Sequence, residues 1–383
     1  MKIGLAHKRL DLDGGTERDF YKTAEGLRDL GHEVHLFCSE FRVDPPAQTF
    51  RHVVPTMAFG RTARLWSFAR AAPRLIEAEK CDVGVGFGRM VAQDVVRSGG
   101  GTHAGFLESL GAEGGRGRRL WQTFSCYHQS VIALERVQFT CRAVKRILAV
   151  SEEVKRDIVK HYGVRPEQIV VLYNGVDDAR FRPRHSDEVR LSVRREWKIP
   201  PDAAVVLFVG SGFRRKGLDR LVPLWNRPSL QQSYLLIVGD DARMARYRER
   251  ARQVSPDRII FAGRQSSVER YYAAADVLVL PAIQEAFGNV VLEALSCGIP
   301  VVVSRRAGAA EILAGKLAAG VLENSEDPLE LENRVADALA LSRDPACPGE
   351  ARQVAERYSW KNHFHRLEAV LKDVHREKRI RSM

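Results

Sequence analysis

Short apolar, β-branched runs alternate along the chain with longer stretches in which apolar residues recur every three or four positions. Ile3-Gly4-Leu5-Ala6 has the length of a buried strand, Arg18 to Leu30 has helical spacing and ends at Gly31, and Val34-His35-Leu36-Phe37-Cys38 reads as the next strand. That is a βαβ unit. Val83 to Phe87, Arg146 to Val150 and Ile169-Val170-Val171-Leu172 continue the series, which closes at the turn signal Asn174-Gly175. The pattern predicts a parallel, doubly wound sheet.

Residues 177 to 202 are polar and interrupted by Pro183, Pro200 and Pro201, as in a linker. A second series follows: Val205 to Val209, Tyr234 to Val238, Arg258 to Phe261, Val277 to Leu280 and Pro300 to Val303, separated by helical patterns. The expected fold class is therefore α/β, with two doubly wound parallel-sheet domains facing one another across an interdomain cleft. The boundaries read as 1–178 for the first domain, 179–202 for the linker, 203–358 for the second domain and 359–383 for a last helical segment.

Composition narrows the function without choosing it. The 383 residues are 45% hydrophobic and 28% charged, enough for sizeable cores and incompatible with a disordered or fibrous chain. Sixty Lys and Arg against 48 Asp and Glu leave a formal charge of +12, which predicts an anionic partner: nucleic acid, a phosphorylated substrate or an acidic membrane face. The six cysteines show no C-x-x-C pair or His/Cys ligand spacing, and the start turns polar at His7-Lys8-Arg9. The expectation is a cytosolic protein that neither spans a membrane nor is exported.

The sharpest chemical pattern is Pro281 to Ala294, followed by Cys297-Gly298-Ile299-Pro300. Glu285 follows a strand, Gly288 allows close backbone approach, and the amides that begin the next helix make an anion cradle. Glu293 shares a helix side with Asn289, where a carboxylate can accept hydrogen bonds from a diol. The same spacing also describes two solvated carboxylates at a strand–helix junction. Gly210-Ser211-Gly212 follows a strand, but its third glycine is at 217 and no acidic residue ends the next strand before Gly239, which disfavours hydride transfer. Nor is Gly212 to Gly217 a Walker loop, because its Lys216 precedes the last glycine.

Glu285-x7-Glu293 with Gly298-x-Pro300-Val301 resembles the signature of family-4 retaining glycosyltransferases of the GT-B fold, which has two facing Rossmann-like domains. Similar marks run through the chain: Gly14-Gly15, Asn174-Gly175-Val176-Asp177, Lys216-Gly217-Leu218-Asp219 and Gly263-Arg264. Gly14 to Phe20 and Phe213 to Gly217 are most similar to the subgroup that adds glucose to the heptose of the lipopolysaccharide core.

The resemblance implies a metal-independent hexosyltransferase that uses a UDP-sugar, glucose foremost, and needs no cofactor. It gives Glu285 the donor-sugar hydroxyls and Glu293 the ribose diol. Sugar and phosphate fall to the amides around Phe287, Gly288, Asn289 and Val290, and the diphosphate to Lys216 with Arg215. Many members carry an arginine where this chain has Ser211; Arg214 or Arg215 takes that role here. Arg264 joins the donor set. Gly14 and Gly15 would turn amides toward a phosphate, or make an ordinary tight turn. His103 would serve the reacting sugar or pack structurally, and Asp19 would stand on the acceptor side or complement a helix dipole. Asp11-Leu12-Asp13 is formally the D-x-D metal motif of another glycosyltransferase fold; here it precedes the glycine turn and reads as loop.

Two basic amphipathic stretches, Arg61 to Arg74 and Arg116 to Ile132, fit either core packing or peripheral docking on an anionic membrane, the location expected for an enzyme with a lipid-linked glycan acceptor. In GT-B enzymes the last helix crosses back to the first domain, and here it ends in Arg376, Lys378, Arg379 and Arg381. The alternatives are a UDP-sugar epimerase of the same architecture and a basic nucleic-acid-binding protein. The second lacks a recognition motif, so no nucleic-acid partner is expected.

Overall fold

The computed structural model describes residues 1–12, 14–108, 125–183 and 187–382. Asp13 and the stretch from Arg116 to Phe124 lie outside them. The chain forms two compact units, Met1–Asn174 with Trp360–Met383, and Gly175–Ser359.

The first unit is built on strands β1 (Lys2–Ala6), β2 (Glu33–Cys38), β3 (Phe50–Val53), β4 (Val83–Gly86), β5 (Val95–Ser98), β6 (Arg146–Ala149) and β7 (Ile169–Val171). All pair in parallel, in the order β3-β2-β1-β4-β5-β6-β7. Ile3, Leu5, Val34 and Leu36 make one core with Phe20 and Leu27 of the helix Gly15–Asp29 and with Leu367, Leu371 and Val374 of the helix Trp360–Ser382. The two helices meet at Gly26, where an added Cβ would fall 2.2 Å from the Phe364 ring. Lys378, in the basic end of the last helix, binds Asp94 at 2.7 Å within this unit. The helix Arg61–Ala78 buries Phe68, Ala69, Ala72 and Ile76, so its apolar stripe covers the sheet.

The second unit has strands β8 (Ala204–Val209), β9 (Ser233–Val238), β10 (Ile259–Gly263), β11 (Val277–Leu280), β12 (Val301–Ser304) and β13 (Val321–Leu322). Their order is β10-β9-β8-β11-β12-β13, again all parallel. Continuous apolar runs such as Val205 to Phe208 are buried on both faces, as a parallel sheet covered by helices requires. The stretch expected as a linker belongs to this unit and holds the helix Asp187–Glu196. It docks through Arg194, 1% exposed, which donates to the carbonyls of Pro201 (2.8 Å), Ala203 (2.6 Å) and Ala274 (3.0 Å) and pairs with Asp276 at 3.0 Å.

Candidate active site

In the second unit, chain order along the sheet reverses between β8 and β11, and in open α/β sheets ligands bind beyond the strand ends at such a point. The segments leaving those two strands carry Lys216 and Glu285.

Beyond β8, Phe213 N donates to Asp241 Oδ2 at 2.9 Å, and a tight turn brings Lys216 back over the strand end. Its aliphatic stem fills the place of a Gly210 side chain: a Cβ there would lie 2.5 Å from Lys216 Cδ. Gly217 has φ +85°, and a Cβ on it would be 2.0 Å from the carbonyl oxygen of Pro281. Glycine is therefore required here sterically and by φ, and it seats the Lys216 turn on the segment after β11. Ile283 N completes the junction by donating to Arg215 O at 2.9 Å.

The segment after β11 is stitched to the one after β12: Glu285 N donates to Arg306 O (3.2 Å), Gly308 N to Glu285 O (3.1 Å) and Ala309 N to Phe287 O (2.8 Å). This fixes the Glu285 side chain, 15% exposed, with Lys216 Nζ at 3.1 Å and Arg215 Nη1 at 2.9 Å from the same carboxylate oxygen. Burial disfavours the carboxylate charge, but the Lys216 and Arg215 cations outweigh it, so the Glu285 carboxyl sits below its ordinary range. Of the two candidate arginines, Arg215 is the one on Glu285. Two cations share one carboxylate, leaving one positive charge in excess. Buried Phe287 and Gly288 (φ +97°) then lead into the helix Asn289–Ser296, whose cap residue brings no side-chain acceptor to the first-turn amides of Asn289 and Val290.

Glu293, on that helix, accepts a 2.6 Å hydrogen bond from Tyr272 Oη. Tyr272 is fully buried; burial and then the Glu293 charge push its phenol well above the usual range, so it remains a donor. Sequence reasoning missed Tyr272, which holds one edge of Glu293 from a helix 21 positions earlier. Arg264 is exposed, just past the end of β10, two strands from β8.

In the first unit, Gly14 caps the helix Gly15–Asp29, with the Glu17 carboxylate 2.0 Å from where a Gly14 Cβ would be; Gly15 faces open space. Asp19 is 2% exposed and pairs with the equally buried Arg97 at 3.0 Å. Arg97 also donates to Leu172 O (2.8 Å) and Asn174 Oδ1 (2.5 Å). Sequence reasoning missed Arg97; a cation directly after the β-branched pair Val95-Val96 was the available signal. His103 Nε2 lies 2.8 Å from His128 Nδ1, and the His103 amide donates to Glu135 at 2.8 Å. Glu135, buried, also accepts from Arg89 (2.6 Å) and Tyr162 Oη (2.6 Å). Burial and then Arg89 push the His103 imidazole down to about 4, so at neutral pH it offers hydrogen bonding without charge.

Two doubly wound sheets, one with a cationic turn at its reversal point, suit an enzyme with an anionic substrate, and sequence comparison supplies the class. Residues 13–180 match the family model "Glycosyltransferase Family 4" and residues 189–370 match "Glycosyl transferases group 1". The chain belongs to the family-4 glycosyltransferases and has the GT-B fold. It is 29% identical to the lipopolysaccharide glucosyltransferase WaaG of Escherichia coli K12 over 308 residues, 79% of each protein. The crystal structure of WaaG, described as a glycosyltransferase involved in lipopolysaccharide biosynthesis, superposes with a TM-score of 0.80 at 24% identity, covering 96% of this chain and 99% of that one. Anabaena Alr3699/HepE in complex with UDP and glucose superposes with a TM-score of 0.69 at 20% identity, covering 97% and 100%. These likenesses do not favour the epimerase or nucleic-acid-binding alternatives. Among the described residues, no helix is long and apolar enough to cross a membrane.

Proposed function

We propose that this glycosyltransferase moves a hexose, glucose foremost, from a UDP-sugar onto the heptose of a lipopolysaccharide core or a related lipid-linked glycan, with retention of the anomeric configuration. The observation that carries the reading is the Glu285 carboxylate gripped by both Lys216 and Arg215 at the reversal point of the second sheet. As the sugar–phosphate bond breaks, negative charge grows on the departing UDP. Lys216 and Arg215 absorb it together with the amides of Phe287, Gly288, Asn289 and Val290, aided by the helix dipole. Because these cations are fixed in advance, the diphosphate is stabilised without a divalent ion.

Glu285 then positions the donor-sugar hydroxyls and is no nucleophile: the acceptor hydroxyl attacks from the face the leaving phosphate departs, and that phosphate takes its proton. Glu293, oriented by Tyr272, accepts from the ribose diol, and Arg264 borders the donor. The family resemblance gives Gly14 and Gly15 a phosphate-facing turn and neutral His103 a sugar hydroxyl. The buried pair with Arg97 favours a positioning role for Asp19 on the acceptor side, holding the first turn of its helix. The location is the inner face of the cytoplasmic membrane, with a peripheral attachment favoured by the net positive charge.

The test is transfer from labelled UDP-glucose to heptose-terminated lipopolysaccharide core in the presence of EDTA. Acceptor-dependent release of UDP with α-linked product is expected. Acceptor-independent conversion of the nucleotide sugar, or strict dependence on a divalent ion, would overturn the reading.

A further inference from the structure

Among the described residues, one set of metal-competent side chains converges: His35 on β2, His52 on β3 and Glu79 at the end of the helix Arg61–Ala78, each offering a ligand atom within 4.8 Å of the others. All three belong to the first unit, and none has been given a part in donor binding. His35 is 3% exposed, whereas His52 and Glu79 are half-buried. The two imidazoles sit between Phe50 and Phe37, which stack on His35 and His52 with ring centroids 4.5 Å apart in each case.

The hydrogen bonds of the cluster leave one imidazole lone pair turned toward a carboxylate. His35 Nε2 lies 2.8 Å from Glu33 Oε1, so this nitrogen must carry the proton. His35 Nδ1 then presents a lone pair to His52 Nε2 at 2.8 Å, which must donate. That leaves His52 Nδ1 as a lone pair facing the Glu79 carboxylate at 3.5 Å. Reversing both tautomers only moves the conflict, setting a bare His35 nitrogen against Glu33 at 2.8 Å. The first arrangement therefore satisfies both short contacts and leaves the His52 Nδ1 lone pair turned toward the Glu79 carboxylate, a pairing that can receive a cation. Lys2 Nζ lies 3.4 Å from Glu79 and 3.8 Å from Glu33.

We infer that His35, His52 and Glu79 form a binding site for a divalent transition metal of the zinc class. Neutral imidazole nitrogens and a carboxylate oxygen are the ligands such ions take, at roughly 2.0–2.2 Å, with water completing a tetrahedron. The Glu33–His35 hydrogen bond is the outer contact expected of such a site: a ligating histidine gives its other N–H to a carboxylate, which fixes tautomer and ring orientation. With the metal in place, His35 Nδ1 and one His52 nitrogen both direct lone pairs at it, and no proton is trapped between rings. The ion would clip the edge strand β3 to β2 and to the helix end beside it.

The experiment uses the untagged full chain, dialysed against EDTA and titrated with Zn²⁺ by calorimetry and with Co²⁺ by visible absorption. One ion per chain is expected, with an intense tetrahedral Co²⁺ band and a higher thermal midpoint in Zn²⁺. His52→Ala and Glu79→Gln should each weaken binding at least about tenfold, roughly 1.4 kcal/mol. Glu79→Gln, nearly isosteric and half-buried, keeps the test valid if His52→Ala unfolds. Substoichiometric binding, the pale spectrum of octahedral Co²⁺, or affinity unchanged in both variants would overturn the site. UDP-glucose transfer is measured separately, so failure here leaves the proposed function standing.

Discussion

The two units each hold a carboxylate gripped by cations, and the grips differ in kind. Asp19 and Arg97 are both 2% exposed, with one charge on each side, and Arg97 also donates to Leu172 O and Asn174. Such a closed pair holds structure. Glu285 is 15% exposed and faces two cations, Lys216 at 11% and Arg215 at 41%, so positive charge and exposed surface are left over. An incompletely balanced cluster at a sheet's reversal point is suited to receive an anion. Charge balance together with exposure separates the two cases, whereas the mere presence of an ion pair does not.

This contrast can be broken from either side. The largest effect is expected in the closed pair: Asp19→Ala strands a buried guanidinium and should cost about 3–5 kcal/mol of stability, read by chemical denaturation. Next, Lys216→Ala should cut transfer by about 10²–10³, corresponding to about 2.7–4 kcal/mol of lost transition-state stabilisation, with the thermal midpoint near wild type. A large stability loss in Lys216→Ala and none in Asp19→Ala would reverse the comparison.

The pH profile sharpens it. His363, buried beside Arg97, is pushed down to about 4 by burial and then by that cation. Its folded value lies below the unfolded one, so the unfolded chain takes up a proton first, and stability should fall as pH drops from about 6.5 to about 4. His363→Gln should flatten that part of the curve. Glu285 has the same sign in a lower window: its contribution is complete above the ordinary carboxylate value and fades only as pH falls through the depressed one. The smallest effect is Tyr272→Phe, which removes one hydrogen bond to Glu293 and should weaken UDP binding by about 0.5–1.5 kcal/mol, measured by calorimetry.

Sequence pattern reached the second unit more fully than the first. Val205 to Val209 and Val277 to Leu280 are apolar without interruption because both sheet faces are covered, and Lys216 and Glu285 at their ends stood out through the family resemblance, since spacing alone also fitted solvated carboxylates. Strand β5 hid because Arg97 breaks its apolar run, and the distant partners Asp19, Leu172 O and Asn174 make that cation tolerable inside. Strand β3 hid for the opposite reason: it is a mostly exposed edge, with Phe50 51% and Val53 59% exposed. The helix Asp187–Glu196 read as linker because Arg194, rather than an apolar stripe, ties it to the sheet. Tyr272 gave no signal, since its pairing with Glu293 depends on how two helices pack.

The central claim is that fixed cations of the second unit hold the diphosphate. Calorimetric titration of UDP in EDTA, into the wild-type protein and Lys216→Ala, tests it most directly. The account predicts binding without a divalent ion and about a 10- to 100-fold loss in the variant, the value of a charge-assisted contact of roughly 1.5–3 kcal/mol. Equal affinity in the two proteins, or wild-type binding only when a divalent ion is restored, would contradict it.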